Sequence, residues 1–311
     1  MKRNFTRSKK NEKFLFFKNK NVVKESKNVI LKNDLNLKPN QLIISGNHAV
    51  LSALQNTQRK SFYLISTKDH HLKWEKSIKD LGLTTKIKIK TKEQLDIIND
   101  FKPHQNVILI AEPLKRISLD EFLIENQYES GQPIRIIILD QVSDPQNVGA
   151  IIRSAFAFKM DALALSQTNS PVESTSMSKA SSGTIEKLKI IELSNMSRAI
   201  RKLQDANFHV YGLANGGNGS VFELEKEVGN VAVIVGSEGK GLRRLTKEKV
   251  DQLLEIPINP DSESLNVSNA ASISMFQLQK NIITSRDGHF MDMKTKVLEW
   301  FHQFSESLNY H

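Results

Sequence analysis

Three segments from Leu139 onward place polar residues where apolar runs end, the position from which a side chain can meet a ligand. In LDQVSDPQNVGAIIRSAFAF (Leu139–Phe158) an apolar run breaks at a polar turn and a helix opens around Asn147. Arg153 lies about one and a half turns further on, and Gly149 lets the backbone approach a neighbour closely. An arginine near a helix start, beyond the carboxyl ends of parallel strands, can bind phosphate or carboxylate or support chemistry there. The plainer reading is an ordinary strand-to-helix turn with a capping asparagine and a surface arginine.

The second segment, VAVIVGSEGKGL (Val231–Leu242), ends a buried run in Gly236, Gly239 and Gly241 with Glu238 among them. It has neither the G-x-x-x-x-G-K-[ST] spacing of a P-loop nor the G-x-G-x-x-G of a dinucleotide fingerprint. A carboxylate in a glycine loop has little apolar surface to pack against, although a bare nucleotide loop stays open on this segment alone. In the third segment, IPINPDSESLNVSNAASISMFQL (Ile256–Leu278), a short strand end leads through a polar loop to a helix starting near Asn266. Ser264 and Asn266 suit the helix N-cap, and the same backbone N–H groups could cradle a ligand.

The elements that must hold these segments are those of an α/β protein. IRIIILD (Ile134–Asp140) is a nearly continuous apolar strand of the kind buried on both faces of a parallel sheet. Further strands are expected at Ala162–Leu165, His209–Leu213, Val231–Val235 and Leu254–Ile256, with helices near Asn147–Phe158, Met196–Ala206, Leu242–Val250 and Asn266–Ile283. The tail Lys294–Leu308 spaces its apolar residues as a helical packing face.

Upstream, QLIISGNHAVLSAL reads as strand, glycine turn and helix. Strands at Ser61–Ser66 and Asn106–Glu112, an edge-like alternation at Lys86–Lys90 and helices at His71–Leu81 and Thr91–Asn99 complete a smaller α/β domain. Ser118 and Glu121 fit a capping box, and NQYESGQP (Asn126–Pro133) is turn-rich. The expected division is an arm at 1–40, a small α/β domain at 41–117, a linker at 118–133, a parallel-sheet domain at 134–283 and a helical tail at 284–311.

The chain has 311 residues and a formal net charge of +10, and its first forty residues hold 12 Lys/Arg against 3 Asp/Glu. That stretch lacks a sustained apolar period and is expected to be disordered alone. It reads as an arm for nucleic-acid phosphates, or as a solubilising or targeting tail. Cysteine is absent, which excludes disulfides, cysteine-ligated zinc and thiol catalysis. A reducing, cytoplasmic setting follows as the default. No apolar run approaches the length of a membrane span. His70 and His71 have no third ligand at metal spacing and read as surface residues.

The three segments in this order resemble the SpoU (TrmH-type) family of RNA ribose 2′-O-methyltransferases, of the SPOUT superfamily. They carry NVGAIIRSA, GSEGKG and the IPI…SLNVS helix start. KASSGTIEKL (Lys179–Leu188) is similar to a further family segment, and GNHAVLSAL (Gly46–Leu54) to the substrate-binding domain of members acting on ribosomal RNA. The resemblance implies a parallel-sheet domain with a trefoil knot, S-adenosylmethionine as methyl donor and a homodimer with its active site close to the dimer interface. Carried over residue by residue, Asn147, Arg153, Glu238, Ser264 and Asn266 match the family's reactive set. Gly236, Ile256 and Leu265 match positions that hold the donor. No metal is implied. The expected substrate is RNA, a guanosine of large-subunit (23S) ribosomal RNA, rather than DNA or a membrane. Transfer RNA and a non-catalytic RNA-binding module are the alternatives, and an oxidoreductase is disfavoured by the missing fingerprint.

Overall fold

The computed structural model describes Lys38 and residues 40–126, 133–168, 170–226 and 229–286. The basic arm, apart from Lys38 and Asn40, and the helical tail from 287 onward lie outside these residues, as does most of the turn-rich segment before Pro133. Two compact units form. One comprises the chain up to Leu114 together with Glu173–Lys179, and the other comprises Lys115–Val172 and Ala180 onward.

In the first unit β1 (Leu42–Ser45), β2 (Ser61–Ser66), β3 (Lys86–Ile89) and β4 (Val107–Ala111) make one sheet in the order β1-β4-β2-β3. β4 runs antiparallel to β1 and β2, and β3 runs parallel to β2 at the edge. The edge position explains the lysine alternation at Lys86–Lys90, since charged side chains on an outer strand discourage pairing with another chain. α1 (Asn47–Gln55) and α2 (His71–Asp80) pack Ala49, Val50, Leu54, Trp74 and Ile78 onto Ile44, Leu64 and Leu109. α3 (Lys92–Ile98) brings Leu95 and Ile98 to a second cluster with Ile65, Ile108 and Ile110. Its start is fixed by a capping box in which Thr91 and Gln94 bond reciprocally. Arg59 and Glu173 form a buried ion pair at 2.7 Å, and Arg59 also donates to the Glu112 carbonyl, so the 173–179 segment is held to this unit by charge. His70 and His71 are half-buried rather than surface residues; His70 Nδ1 lies 3.1 Å from Thr67 Oγ1. Among the described residues no group of His, Asp or Glu could hold a metal ion.

The second unit is built on eight strands. They are β5 (Ile117–Ser118), β6 (Arg135–Asp140), β7 (Ala162–Ser166), β8 (Lys189–Leu193), β9 (Phe208–Leu213), β10 (Gly219–Ser220), β11 (Asn230–Gly236) and β12 (Gln252–Glu255). Their order is β10-β12-β9-β11-β6-β7-β8-β5, and every neighbouring pair is parallel. β6 and β7 are buried along their full length, as their unbroken apolar runs require. The helices are α4 (Leu119–Asn126), α5 (Pro145–Ala157), α6 (Thr175–Ala180, which begins in the first unit), α7 (Met196–Asp205), α8 (Arg244–Lys249) and α9 (Val267–Arg286).

Two expectations change. Residues 118–126 are not linker: Ser118 and Glu121 exchange bonds of 2.7 and 3.1 Å as a capping box, and Leu119 and Phe122 of the helix they start are buried in the second unit's core. The backbone N–H of Ser118 also holds the Glu121 carboxyl below the usual range. β8 was not among the expected strands, nor were the two-residue β5 and β10.

The chain leaves β6 toward β7 and β8 on one side and, after α7, crosses to β9 and β11 on the other. Strand order therefore reverses between β6 and β11, and the crevice beyond their carboxyl ends is where an open parallel sheet offers a ligand site.

Candidate active site

β6 and β11 lie in register, so that Gly236 pairs with Asp140 and both segments leave the sheet side by side. After β6 the chain turns into α5, which starts earlier than expected: Pro145 is its first residue and Asp144 caps it by accepting from the Gln146 N–H at 3.0 Å. Asn147 is therefore released from capping, and its side chain turns elsewhere. Its Nδ2 donates to Glu238 Oε1 at 3.1 Å, and its Oδ1 accepts from Asn266 Nδ2 at 3.2 Å. Asn266 Nδ2 also reaches Glu238 Oε1 at 2.5 Å, while Asn266 Oδ1 accepts from the Ser268 N–H and hydroxyl at the start of α9. One residue from each of the three motifs, separated by 91, 28 and 119 positions, thus meets in a single hydrogen-bonded triangle.

Glycine builds the Glu238 side of the triangle. A Cβ on Gly236 would stand 2.1 Å from the carbonyl carbon of Gly241, so the loop can fold back on itself only if residue 236 has no side chain. Gly239 and Gly241 take positive φ in the return, which the Gly241 N–H closes onto the Ser237 carbonyl.

Beside the triangle lies a crevice of about 330 Å3 beyond the carboxyl ends of β9, β11 and β12. Leu213, Ile256, Ile258 and Leu265 give it apolar walls, backbone from Gly236 to Gly241 forms one side, and Glu238, Glu263 and Ser264 line it with polar groups. Apolar walls with a few convergent polar groups suit a small organic ligand. Gly236, Ile256 and Leu265, expected from the sequence as ligand-holding positions, all line it, as do Glu238 and Ser264. Ser264 makes no side-chain hydrogen bond among the described residues; Asn266 performs the capping.

Arg153 stands apart. It is exposed on α5 and makes no hydrogen bond or ion pair among the described residues. Its neighbour Ser154 faces inward and meets Ser272 of α9 at 2.8 Å, fixing the two helices together. Phe156, one turn beyond Arg153, and Phe276 of α9 are 40% and 50% exposed, and Phe276 meets Phe158 edge-on at 5.9 Å.

A second polar cluster went unrecognised in the sequence. Asp140, fully buried at the end of β6, accepts from Arg243 Nη2 at 2.7 Å, from Arg243 Nε at 2.8 Å and from Thr246 Oγ1 at 2.8 Å. It ties the strand that leads to Asn147 to the residues that follow the glycine loop. The one visible signal was a carboxylate closing an otherwise apolar strand, since its partners lie more than a hundred residues away. Asp140→Ala is expected to cost about 2–4 kcal/mol in urea unfolding, because charge-assisted bonds are lost and the buried Thr246 hydroxyl is left without its acceptor. A loss below about 0.5 kcal/mol, the usual limit for a surface change, would show that the cluster does not brace the site.

Comparison with known proteins agrees with this geometry. The SpoU rRNA Methylase family profile matches residues 134–276, and the profile for RNA 2′-O ribose methyltransferase substrate binding matches residues 43–116. A Staphylococcus epidermidis protein described as a TrmH family tRNA/rRNA methyltransferase is 30% identical over 241 residues, covering 77% of this chain and 95% of that one. The Xanthomonas campestris 23S rRNA (guanosine-2′-O-)-methyltransferase RlmB is 38% identical over 142 residues, 46% of this chain and 57% of its own length. Among solved structures, the SpoU methyltransferase AviRb of Streptomyces viridochromogenes, in complex with AdoMet, superposes with a TM-score of 0.67 at 18% identity over 79% of this chain and 92% of that one. An AdoMet-bound rRNA methyltransferase from Sinorhizobium meliloti gives 0.64 at 20% identity, over 78% and 88%. At these identities the two structures speak for the fold.

Proposed function

This chain belongs to the SpoU (TrmH-type) family of RNA methyltransferases, and from that membership we propose that it transfers a methyl group from S-adenosylmethionine to a ribose 2′-hydroxyl of RNA, at a guanosine of 23S ribosomal RNA. The observation that carries the proposal is the Asn147–Glu238–Asn266 triangle at the edge of the crevice.

The residues present fit the donor. Leu213, Ile256, Ile258 and Leu265 offer apolar surface to an adenine, and the backbone from Gly236 to Gly241 offers close polar contacts because the loop is too tight for a Cβ. Glu263 and Glu238 place negative charge where a cationic ligand would lie. When bound, S-adenosylmethionine supplies an already activated sulfonium methyl, so the enzyme's work is to position and activate the acceptor oxygen.

In this reading Arg153 activates the ribose hydroxyl. A guanidinium offers N–H donors in a fixed fork, and beside the acceptor it would lower the energy of the oxygen as its proton is lost or shared. Asn147 and Asn266, both held on the Glu238 carboxylate, orient the ribose, and Ser264 shapes the crevice beside the nucleotide. A trefoil knot through the segments after β11 and β12 is part of the same proposal.

The working unit in this reading is a homodimer. Arg153 makes no hydrogen bond or ion pair among the described residues, and it lies three residues from Phe156 on an exposed part of α5, while Phe276 of α9 is exposed as well. Aromatic residues and arginine are enriched in interface cores, and in this reading Arg153 serves the site of the partner copy.

The substrate-binding match at 43–116 supports an RNA substrate, and the Xanthomonas relative supports ribosomal over transfer RNA. The test is incubation with labelled S-adenosylmethionine and RNA fractions from a strain deleted for this gene. Label in 23S RNA is the expected result; label confined to transfer RNA would reassign the substrate, and none in any fraction would remove the activity.

A further inference from the structure

The outer edge of the first unit's sheet carries an arrangement that catalysis does not use. β3 pairs with β2 so that Lys86 sits opposite Tyr63 and Lys88 opposite Ile65, which puts both lysines on the same face as Tyr63. Lys88 Nζ lies 3.7 Å from the centre of the Tyr63 ring, a close cation–π contact. Phe62 adjoins it across the irregularity in β2 between Ser61 and Tyr63, with Lys60 Nζ 5.5 Å above its ring. Lys60 is neutralised by Glu112 at 2.9 Å, but Lys86 and Lys88 are exposed and make no ion pair among the described residues. Phe62 and Tyr63 pack their inner sides on the Ile65–Leu95–Ile98 cluster and are only half-buried. Partial burial also pushes the Tyr63 phenol up, which keeps it neutral.

We propose that this face is a docking platform for unpaired nucleotides of the RNA substrate: a base stacks beside Tyr63 and Phe62 while Lys86 and Lys88 take flanking phosphates. Three features combine in it: aromatic surface on a sheet, lysines on the same face, and positive charge that no ion pair among the described residues quenches. Aromatic rings on a strand surface stack bases that are free of a duplex, and lysines beside them bind the phosphates without reading sequence. The proposal rests on the RNA methyltransferase reading and adds where, and in what form, the RNA is first held. Edge protection accounts for the lysines alone but not for the position of Lys88 on the Tyr63 ring.

Charge reversal separates these explanations, because glutamates protect an edge as well as lysines and repel phosphate. The full chain would be titrated with a labelled unpaired RNA of about 12 nucleotides, a length within one single-strand site, and with the same sequence as a duplex, at several salt concentrations. The expected results are tighter binding of the unpaired form and at least about tenfold weaker binding by the Lys86→Glu/Lys88→Glu variant. The slope of log affinity against log salt should shrink by about 1.4, the value for two phosphates on a single strand. Tyr63→Leu keeps the apolar contact below and should weaken binding about tenfold without changing the slope. If charge reversal unfolds the protein, Lys86→Gln/Lys88→Gln reads the same slope. Unchanged affinity and slope in folded variants would overturn the platform, and if the wild type still methylates RNA the activity survives that failure. A wild type that binds unpaired RNA through this face but never transfers methyl would overturn the activity and keep the platform.

Discussion

Gly236→Ala should abolish S-adenosylmethionine binding in calorimetry, a loss of at least about 100-fold, or about 2.7 kcal/mol. The added methyl would stand 2.1 Å from the Gly241 carbonyl carbon and 2.4 Å from the Leu242 nitrogen, both backbone atoms with no rotamer to escape into. The loop cannot widen in place, because the Gly241 N–H is bonded to the Ser237 carbonyl and the next residue, Leu242, is buried in the core. Relaxation has to move Glu238 away from Asn147 and Asn266, so the triangle and the crevice wall fail together. Overpacking of this kind costs typically about 1–3 kcal/mol of stability, which thermal unfolding would register beside the binding measurement. Leu265→Ala is the milder companion: it removes half-buried apolar surface from the opposite wall and should weaken the donor about tenfold with little change in unfolding. Normal donor binding by a folded Gly236→Ala chain would mean that the donor lies elsewhere.

Arg153→Ala should reduce the single-turnover rate of methyl transfer by about 10²–10³-fold, the scale of losing one preorganised donor to a developing oxyanion. Donor binding should stay within about twofold of wild type, since Arg153 does not line the crevice. Stability should change by less than about 0.5 kcal/mol, because the side chain is exposed and makes no hydrogen bond or ion pair among the described residues. That combination makes Arg153 a cleaner probe of chemistry than Asn147 or Glu238, whose removal also dismantles the triangle. Arg153→Lys keeps the charge but loses the planar fork and should recover only part of the rate. If the arginine acts on the partner's site, mixing Arg153→Ala chains with Asn147→Ala chains should restore activity, since each mixed dimer then holds one undamaged composite site. A rate within about threefold of wild type for Arg153→Ala would remove it from the mechanism.

How much of this was legible in the sequence depends on the range of the interaction. β6 and β11 were visible because burial on both faces forces an unbroken apolar run, as in IIIL and VAVIV, and the Ser118–Glu121 cap was visible because it is completed within four residues. The motif order was enough to name Asn147, Glu238 and Asn266, and the fold brings those three together. Local features misled where a nearby competitor won. Asp144 followed by Pro145 is a better helix start than Asn147, which moved α5 forward by two residues and gave Asn147 to the site. Long-range pairings had no local signature at all. Glu173 finds Arg59 across 114 positions and draws its segment into the first unit, and Asp140 finds Arg243 across 103. Arg153 illustrates the converse: its residue type and motif position named it, yet it makes no hydrogen bond or ion pair among the described residues.

The most direct measurement is the position of the transferred methyl group. RNA methylated by the wild-type chain with labelled S-adenosylmethionine would be hydrolysed in alkali, which cleaves a phosphodiester only where the neighbouring 2′-hydroxyl is free. Label recovered in alkali-resistant dinucleotides, and absent with Arg153→Ala, is the predicted result. Label released in mononucleotides would place the methyl on a base and contradict ribose transfer.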